Sequence, residues 1–163
     1  MQNHDRRSAA IYGLLAAAWV GVLFFFSGQS GEASGALSGR LTEILFGWLI
    51  DRGVSAGRLE FLLRKAAHMG IFAVEGFLLA MALGSALRKS RAALWSLPIC
   101  AALAVANELH QRLPGGRTSS AADVLIDSFG ALIGVLLAAV LLHALSSRAS
   151  RKGKNDDTTG DAI

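Results

Sequence analysis

Several ionisable side chains of this chain interrupt long apolar stretches of sequence. They are two histidines and three acids: His68, Glu75, Glu108, Asp127 and, near the cytoplasmic end of its stretch, His143. Ionisable groups inside membrane helices are costly and rare, so each one is a candidate functional residue. A histidine near neutral pH can act as a general base or a nucleophile, and a neighbouring carboxylate can fix its tautomer. These residues are therefore the first candidates for chemistry.

Cations stand close to this group in the sequence and indicate an anionic ligand. Arg64 and Lys65 precede His68 by one helical turn, and Arg117 follows Gly115 and Gly116. Arginine binds phosphate oxygens bidentately, and glycine leaves the backbone beside it open to a head group. Histidine and carboxylates could also hold a divalent ion, but no HExxH or comparable ligand motif is present. We therefore predict a phosphate-bearing lipid as ligand and no cofactor.

Four apolar stretches are long enough to position these residues in a bilayer, because about 20 mostly apolar residues cross its hydrocarbon core. They comprise residues 8–26, 66–87, 92–109 and 124–145. Of the 163 residues, 53% are hydrophobic and 17% are charged, with a mean hydropathy of +0.46. A soluble domain carries about 25% charged residues. The sequence therefore excludes a soluble globule and predicts an all-α integral membrane four-helix bundle over residues 1–145.

The connections between the spans differ in length and composition. Residues 27–40 are rich in glycine and serine, which predicts a loop. Residues 41–50 (LTEILFGWLI) are apolar but too short to cross, so they predict an interfacial or re-entrant helix. The polar residues 146–163 predict a disordered cytoplasmic tail.

The distribution of Lys and Arg predicts the orientation of the bundle. Nine of the 16 cations fall in the N-terminal segment, the connection between spans two and three, and the tail; the other seven fall in the two remaining connections. By the positive-inside rule both termini are cytoplasmic. The same rule accounts for the net charge of +4, so nucleic acid is not expected as a partner.

Antiparallel connectivity brings the polar ends of three spans to the outer membrane face. The start of the second span, the end of the third and the start of the fourth meet there, and they carry Arg64, Lys65, His68, Glu108, His110, Gln111, Asp123 and Asp127. On the fourth span Asp123 and Asp127 share a helical face with Gly130 and Gly134, a small-xxx-small pattern that lets another helix approach. Glu75 lies near mid-bilayer, so it is expected to be protonated or paired, for example with His68.

The same polar residues resemble the motifs of the VanZ-like family. The matching segments are FSGQS at 26–30, RKAAH at 64–68, NELHQRLPGGR at 107–117 and DVLIDSFG at 123–130. They follow the family order from about residue 12 to 142. The chain departs from the family pattern in four respects: Asn107 replaces an acid, Pro114 stands one place early, Ile71 and Phe72 replace an acid and a tyrosine, and Glu75 adds an acid one turn later.

The resemblance implies a multi-pass protein of the bacterial plasma membrane. The family's namesake is associated with low-level resistance to the glycopeptide teicoplanin, and the family resembles enzymes that modify or exchange head groups of phospho-linked lipids. Within such a site, the residue types favour catalytic roles for His68, Glu108, His110 and Asp123. Either histidine could act as the base or the nucleophile, and Glu108 could orient it. Asp123 could hold Arg117 in place or complete a path for the proton. The expected substrate-binding residues are Arg64, Lys65, Gln111, Arg117 and Asp127.

Three functions remain open from the sequence. The first is an enzyme acting on phospholipid head groups or lipid-linked cell-wall precursors. The second is a non-catalytic membrane protein that binds lipid or antibiotic and alters access to the envelope. The third is a small proton-coupled transporter that uses Glu75 and would need to oligomerise, because four spans are few for a pathway. The sequence does not define the oligomeric state.

Overall fold

The computed structural model describes residues 3–87, 89–114 and 120–160, which form five helices without a strand. The helices are α1 (Asn3–Ser27), α2 (Gly31–Ile50), α3 (Ala56–Ala86), α4 (Lys89–His110) and α5 (Ala121–Gly160). Four of them are long and apolar enough to cross a membrane, over residues 6–27, 56–86, 91–110 and 121–147. The predicted all-α membrane bundle with four spans is confirmed.

The connection between α1 and α2 is shorter than the sequence suggested. A loop was expected over residues 27–40, but α2 begins at Gly31 and runs for 20 residues, so the expected helix at 41–50 is only its second half. The Ser30 hydroxyl caps α2 by accepting a hydrogen bond of 3.2 Å from the amide of Ala33. This cap and the packing of α2 on α3 outweigh the weak helix propensity of the glycines.

Two helices extend beyond the expected spans. Helix α3 starts ten residues before the expected residue 66, so its first turns lie beside α2. Helix α5 continues to Gly160, whereas a disordered tail was expected from residue 146. Adding residues to an existing helix requires no new nucleus, so a polar segment with few helix breakers can extend it.

Helix α3 is the centre of the bundle, because it packs against each of the other four helices. Its closest neighbour is α5, which runs parallel to it. A Cβ atom added to Gly130 would overlap the Met69 carbonyl, and one added to Gly134 would overlap that of Ala73. These glycines let the two backbones touch, as the small-xxx-small pattern predicted, and they fix the register of the acids that precede them on α5.

A candidate site at one end of the bundle

The close packing of α3 on α5 brings two of the predicted pairs together. His68 Nδ1 lies 3.2 Å from Asp127 Oδ1, and the Lys65 ammonium forms an ion pair with Asp123. Both contacts lie within two turns of the Gly130–Met69 contact, so the helix approach sets their geometry. We call His68, Asp127, Lys65, Asp123 and the nearby Glu108 the acid–base cluster.

The His68–Asp127 pair joins a buried acid to a partly accessible base. The Asp127 side chain is 0% exposed and the His68 side chain is 22% exposed. Because Nδ1 is engaged by the carboxylate, Nε2 is the ring nitrogen left to meet a ligand. A carboxylate in this position holds the imidazole orientation and stabilises its protonated form. The pair therefore has the arrangement of an oriented general base.

The two cations before His68 diverge to different helices. Lys65 points to α5 and also lies over the Phe61 ring, with Nζ 5.2 Å from the ring centroid. Arg64 points to α2: its guanidinium lies 2.8 Å from Glu60 Oε1 and 3.3 Å from the Ser38 hydroxyl, which itself donates to Glu60 at 2.6 Å. Side-chain exposures of 44% and 30% leave the Arg64–Glu60 pair open to competition by another anion.

Glu108 lies at the centre of the cluster but binds neither histidine. Its Oε2 accepts a hydrogen bond of 2.8 Å from the backbone amide of Ser120, which ties the end of α4 to the start of α5. The residue is buried and within electrostatic range of His68, Asp123 and Asp127. Orientation of a histidine by Glu108 through a direct hydrogen bond is therefore not observed: Oε2 accepts from Ser120, and the buried Oε1 has no hydrogen-bond partner among the described residues.

His110 belongs to a separate contact between α4 and the end of α1. Its Nδ1 lies 3.2 Å from Ser27 Oγ, and its ring packs edge-on against Phe24 at 5.2 Å between centroids. The Ser27 hydroxyl is also 3.2 Å from the Asn107 carbonyl oxygen, to which it donates. The absence of a side chain at Gly28 leaves space for the ring, because a Cβ there would lie 3.3 Å from His110 Cε1. We call Ser27, His110 and Asn107 the serine–histidine cluster.

A cavity of about 320 Å³ lies between these two clusters. Its walls come from α1, α2, α3 and α4 and are largely apolar, with Leu23, Leu37, Leu41 and Phe72 among them. The polar groups that reach it are Ser27, Gln29, Ser34, Ser38, Arg64, His68, Asn107 and Gln111. The cavity therefore offers an apolar volume with a base, a cation and amide groups in its wall.

The structure also bears on the expectations for Asp123, for Glu75 and for a metal site. Asp123 pairs with Lys65, while Arg117 lies outside the described residues. Glu75 was expected to be either protonated or paired; it is 1% exposed and its Oε2 has no hydrogen-bond partner in the described part of the chain. His68, offered as a partner, lies against Asp127 instead, so a protonated Glu75 stays a prediction. Within the described ranges no group of three or more His, Cys, Asp or Glu side chains is arranged to hold a metal ion.

Sequence patterns assign no role to several residues in and beside the cavity. Ser27 belongs to the FSGQS segment and Asn107 is a departure from the family pattern, but neither residue type carries a further signal. Ser38 lies in a segment that predicts a loop, and Glu60, which contacts Arg64 beside the cavity, precedes the predicted second span. The signal for Ser27 was its place at the end of a span, on the same membrane face as His110.

Comparison with known proteins supports one assignment. A family model described as VanZ/LLP1 matches residues 12–142, which is most of the chain and all of both clusters. Searches of curated proteins and of solved structures returned no match.

Proposed function

This chain belongs to the VanZ/LLP1 family, and from that premise we propose that it is a membrane enzyme that modifies the phosphate-linked head group of a lipid. The lipid would be a phospholipid or a lipid-linked cell-wall precursor. One observation carries the proposal: His68 lines an apolar cavity while the buried Asp127 holds its Nδ1. Packing alone does not require an oriented base in the wall of an apolar cavity.

The cavity walls support a lipid as the ligand. Most of the lining is aliphatic or aromatic, and α2 closes one side with Leu37 and Leu41. Burying apolar surface contributes about 25 cal/mol for each Å², so a lipid chain gains affinity from such walls while its head group remains at the polar end. The polar end carries Arg64, His68 and Gln111.

Recognition of a head-group phosphate would use the guanidinium of Arg64. Its partner Glu60 is 30% exposed, so a phosphate with two oxygens aligned to the guanidinium can displace it. Lys65 remains paired with Asp123 and contributes positive charge nearby. Arg117, expected from its place after two glycines, would add a second cation to the same face.

Catalysis would depend on His68. With Asp127 holding its orientation, the imidazole can accept a proton from an attacking hydroxyl group and return one to a departing group. The buried Glu108 lies within electrostatic range of the imidazole. The site would face the outside of the plasma membrane, where altered head groups would change access of a glycopeptide such as teicoplanin to the envelope.

A second candidate is a non-catalytic protein that binds lipid or antibiotic. It is favoured by the ion pairs, because Arg64 and Lys65 are each paired with an acid of the chain itself, Glu60 and Asp123. In that case the acid–base cluster holds the helices together, and the cavity only retains a ligand.

Envelope lipid analysis distinguishes the two candidates. Cells that lack the protein should differ from wild type in one class of lipid head group, and His68→Gln should reproduce that difference while accumulating normally in the membrane. His143→Gln on α5, an exposed histidine far along the helix from Asp127, is the matched control and should leave the lipids as in wild type. Identical lipid profiles with and without the protein would contradict catalysis and support binding alone.

A further inference from the structure

We infer that Ser27 is the nucleophile of the proposed reaction, activated by His110, so that head-group transfer passes through a covalent phospho-serine intermediate. The inference rests on the proposed function and adds the reaction class: double displacement at a phosphodiester. It gives a chemical role to the serine–histidine cluster, whereas the proposed function relies on the acid–base cluster and Arg64.

The position of Ser27 supports this role. The residue is 3% exposed, yet it lines the cavity at the end of α1, opposite α2. Its Oγ lies 3.2 Å both from His110 Nδ1 and from the Asn107 carbonyl oxygen. The hydroxyl can therefore turn its hydrogen from the carbonyl to the imidazole without moving its oxygen. A serine within reach of a histidine is the arrangement that activates a hydroxyl nucleophile.

The surroundings of His110 keep its ring in this position. Phe24 contacts it edge-on, and Gly28 leaves the space that the ring fills. Next to it, Asn107 and Gln111 line the cavity, and their side-chain amides are groups that can donate hydrogen bonds to phosphate oxygens. Donors of this kind stabilise charge that develops in a transition state.

In the first half of the reaction, Ser27 Oγ attacks the phosphorus of the lipid phosphodiester and its proton passes to His110. The bond between phosphorus and the head-group oxygen breaks, and that oxygen takes a proton from protonated His68. In the second half, His68 takes a proton from an incoming alcohol or water, whose oxygen attacks phosphorus. The bond to Ser27 breaks, and Oγ recovers its proton from His110, so both histidines return to their initial states.

Two histidines on different helices suit this scheme, since one serves the nucleophile and the other serves the leaving and incoming groups. The substrate class is a glycerophospholipid diester with an alcohol head group. An incoming alcohol gives exchange of head groups, and incoming water gives phosphatidic acid.

The test uses the full chain in lipid nanodiscs and a phosphatidic acid p-nitrophenyl ester, whose leaving group needs no acid. In His68→Gln the first half should proceed and the second should stop. We expect a burst of about one equivalent of p-nitrophenolate per protein, as for a trapped covalent intermediate. Mass spectrometry should find the phosphatidyl group on the peptide that contains Ser27.

Matched variants in the same background locate the adduct. Ser27→Ala with His68→Gln should give neither burst nor adduct. Ser30→Ala with His68→Gln changes a serine three residues away that only caps α2, and it should keep both. In otherwise wild-type protein, His110→Gln should slow turnover by about 10²- to 10⁴-fold, the usual contribution of a general base.

Wild-type protein provides a measurement that does not depend on folding of a variant. An alkyl fluorophosphonate should modify Ser27 and stop p-nitrophenolate release in parallel. Modification of another residue, or turnover that persists when Ser27 is fully modified, would overturn the inference. If the wild type alters envelope lipids but no adduct forms in His68→Gln, only the nucleophile assignment fails; if envelope lipids do not respond to the protein at all, the proposed function fails with it.

Discussion

At the scale of single residues, the cost of burying charge explains which side chains meet. Asp127 is completely buried, and an isolated carboxylate there would lose several kcal/mol of solvation relative to water. The contact with His68 offsets part of that cost, and so does the neighbouring pair of Lys65 with Asp123. The side chains of these two pairs have defined positions, because a buried charge without its partner would destabilise the bundle.

The His68–Asp127 contact predicts a large effect from a small change. Asp127→Asn keeps the shape of the side chain but removes the charge that orients the imidazole and stabilises its protonated form. Lipid head-group turnover in nanodiscs should fall by about 10² or more, with normal accumulation in the membrane. Asp51→Asn, at the exposed end of α2, is the control and should change neither quantity. Undiminished turnover in Asp127→Asn would show that His68 needs no oriented partner.

At the scale of helices, α3 is the element on which the site is built. One of its faces contacts α5 closely enough to place Lys65 and His68 against the two acids, and another places Arg64 against Ser38 of α2. The polar residues of α3 therefore contribute to the acid–base cluster and to the cavity wall, and His68 belongs to both. Its first turns, which extend beyond the predicted span, supply Glu60 and Arg64.

The α3–α5 contact predicts opposite effects of the same substitution at two glycines. Gly134→Ala places a methyl group against the Ala73 backbone and should reduce stability by about 1–3 kcal/mol, because backbone cannot move aside as a flexible side chain can. Gly70→Ala on α3 meets nothing within 4 Å and should stabilise by up to about 1 kcal/mol through helix propensity. Thermal unfolding in one detergent measures both. Equal shifts at the two positions would contradict the close approach.

At the scale of the whole molecule, both clusters lie at the end of the bundle where α1 and α4 end and α5 begins. Three segments distant in sequence, around Ser27, His110 and Asp127, are brought to this end by the antiparallel order of the spans. The function proposed here requires that this end face the outside, because the lipids that glycopeptides encounter are there.

The positive-inside rule predicts that both termini are cytoplasmic, and fusions test this prediction. Green fluorescent protein at the C-terminus should fluoresce, since it folds in the cytoplasm, and alkaline phosphatase inserted after Val54 in the turn between α2 and α3 should be active, since it folds outside. Adding three lysines to that turn is the informative control, because it should weaken the preference. Activity of a C-terminal phosphatase fusion would invert the topology and place both clusters on the cytoplasmic face.

The sequence by itself determined the membrane class, the four spans and most of the polar set. Apolar length and helical periodicity are local properties, and antiparallel order follows from connecting adjacent spans, so the shared membrane face of His68, Glu108 and Asp127 could be predicted. The family motifs pointed to the same residues.

Only the tertiary structure decided which of these residues are partners. His68 lies against Asp127 and not Glu75 because two glycines let α3 and α5 touch in one register. Helix α2 formed where a loop was expected because packing on α3 outweighs the propensity of its glycines. Ser27 meets His110 across 83 positions in sequence, a distance that no local pattern encodes. Pairing depends on how surfaces fit, and that fit is a property of the assembled helices.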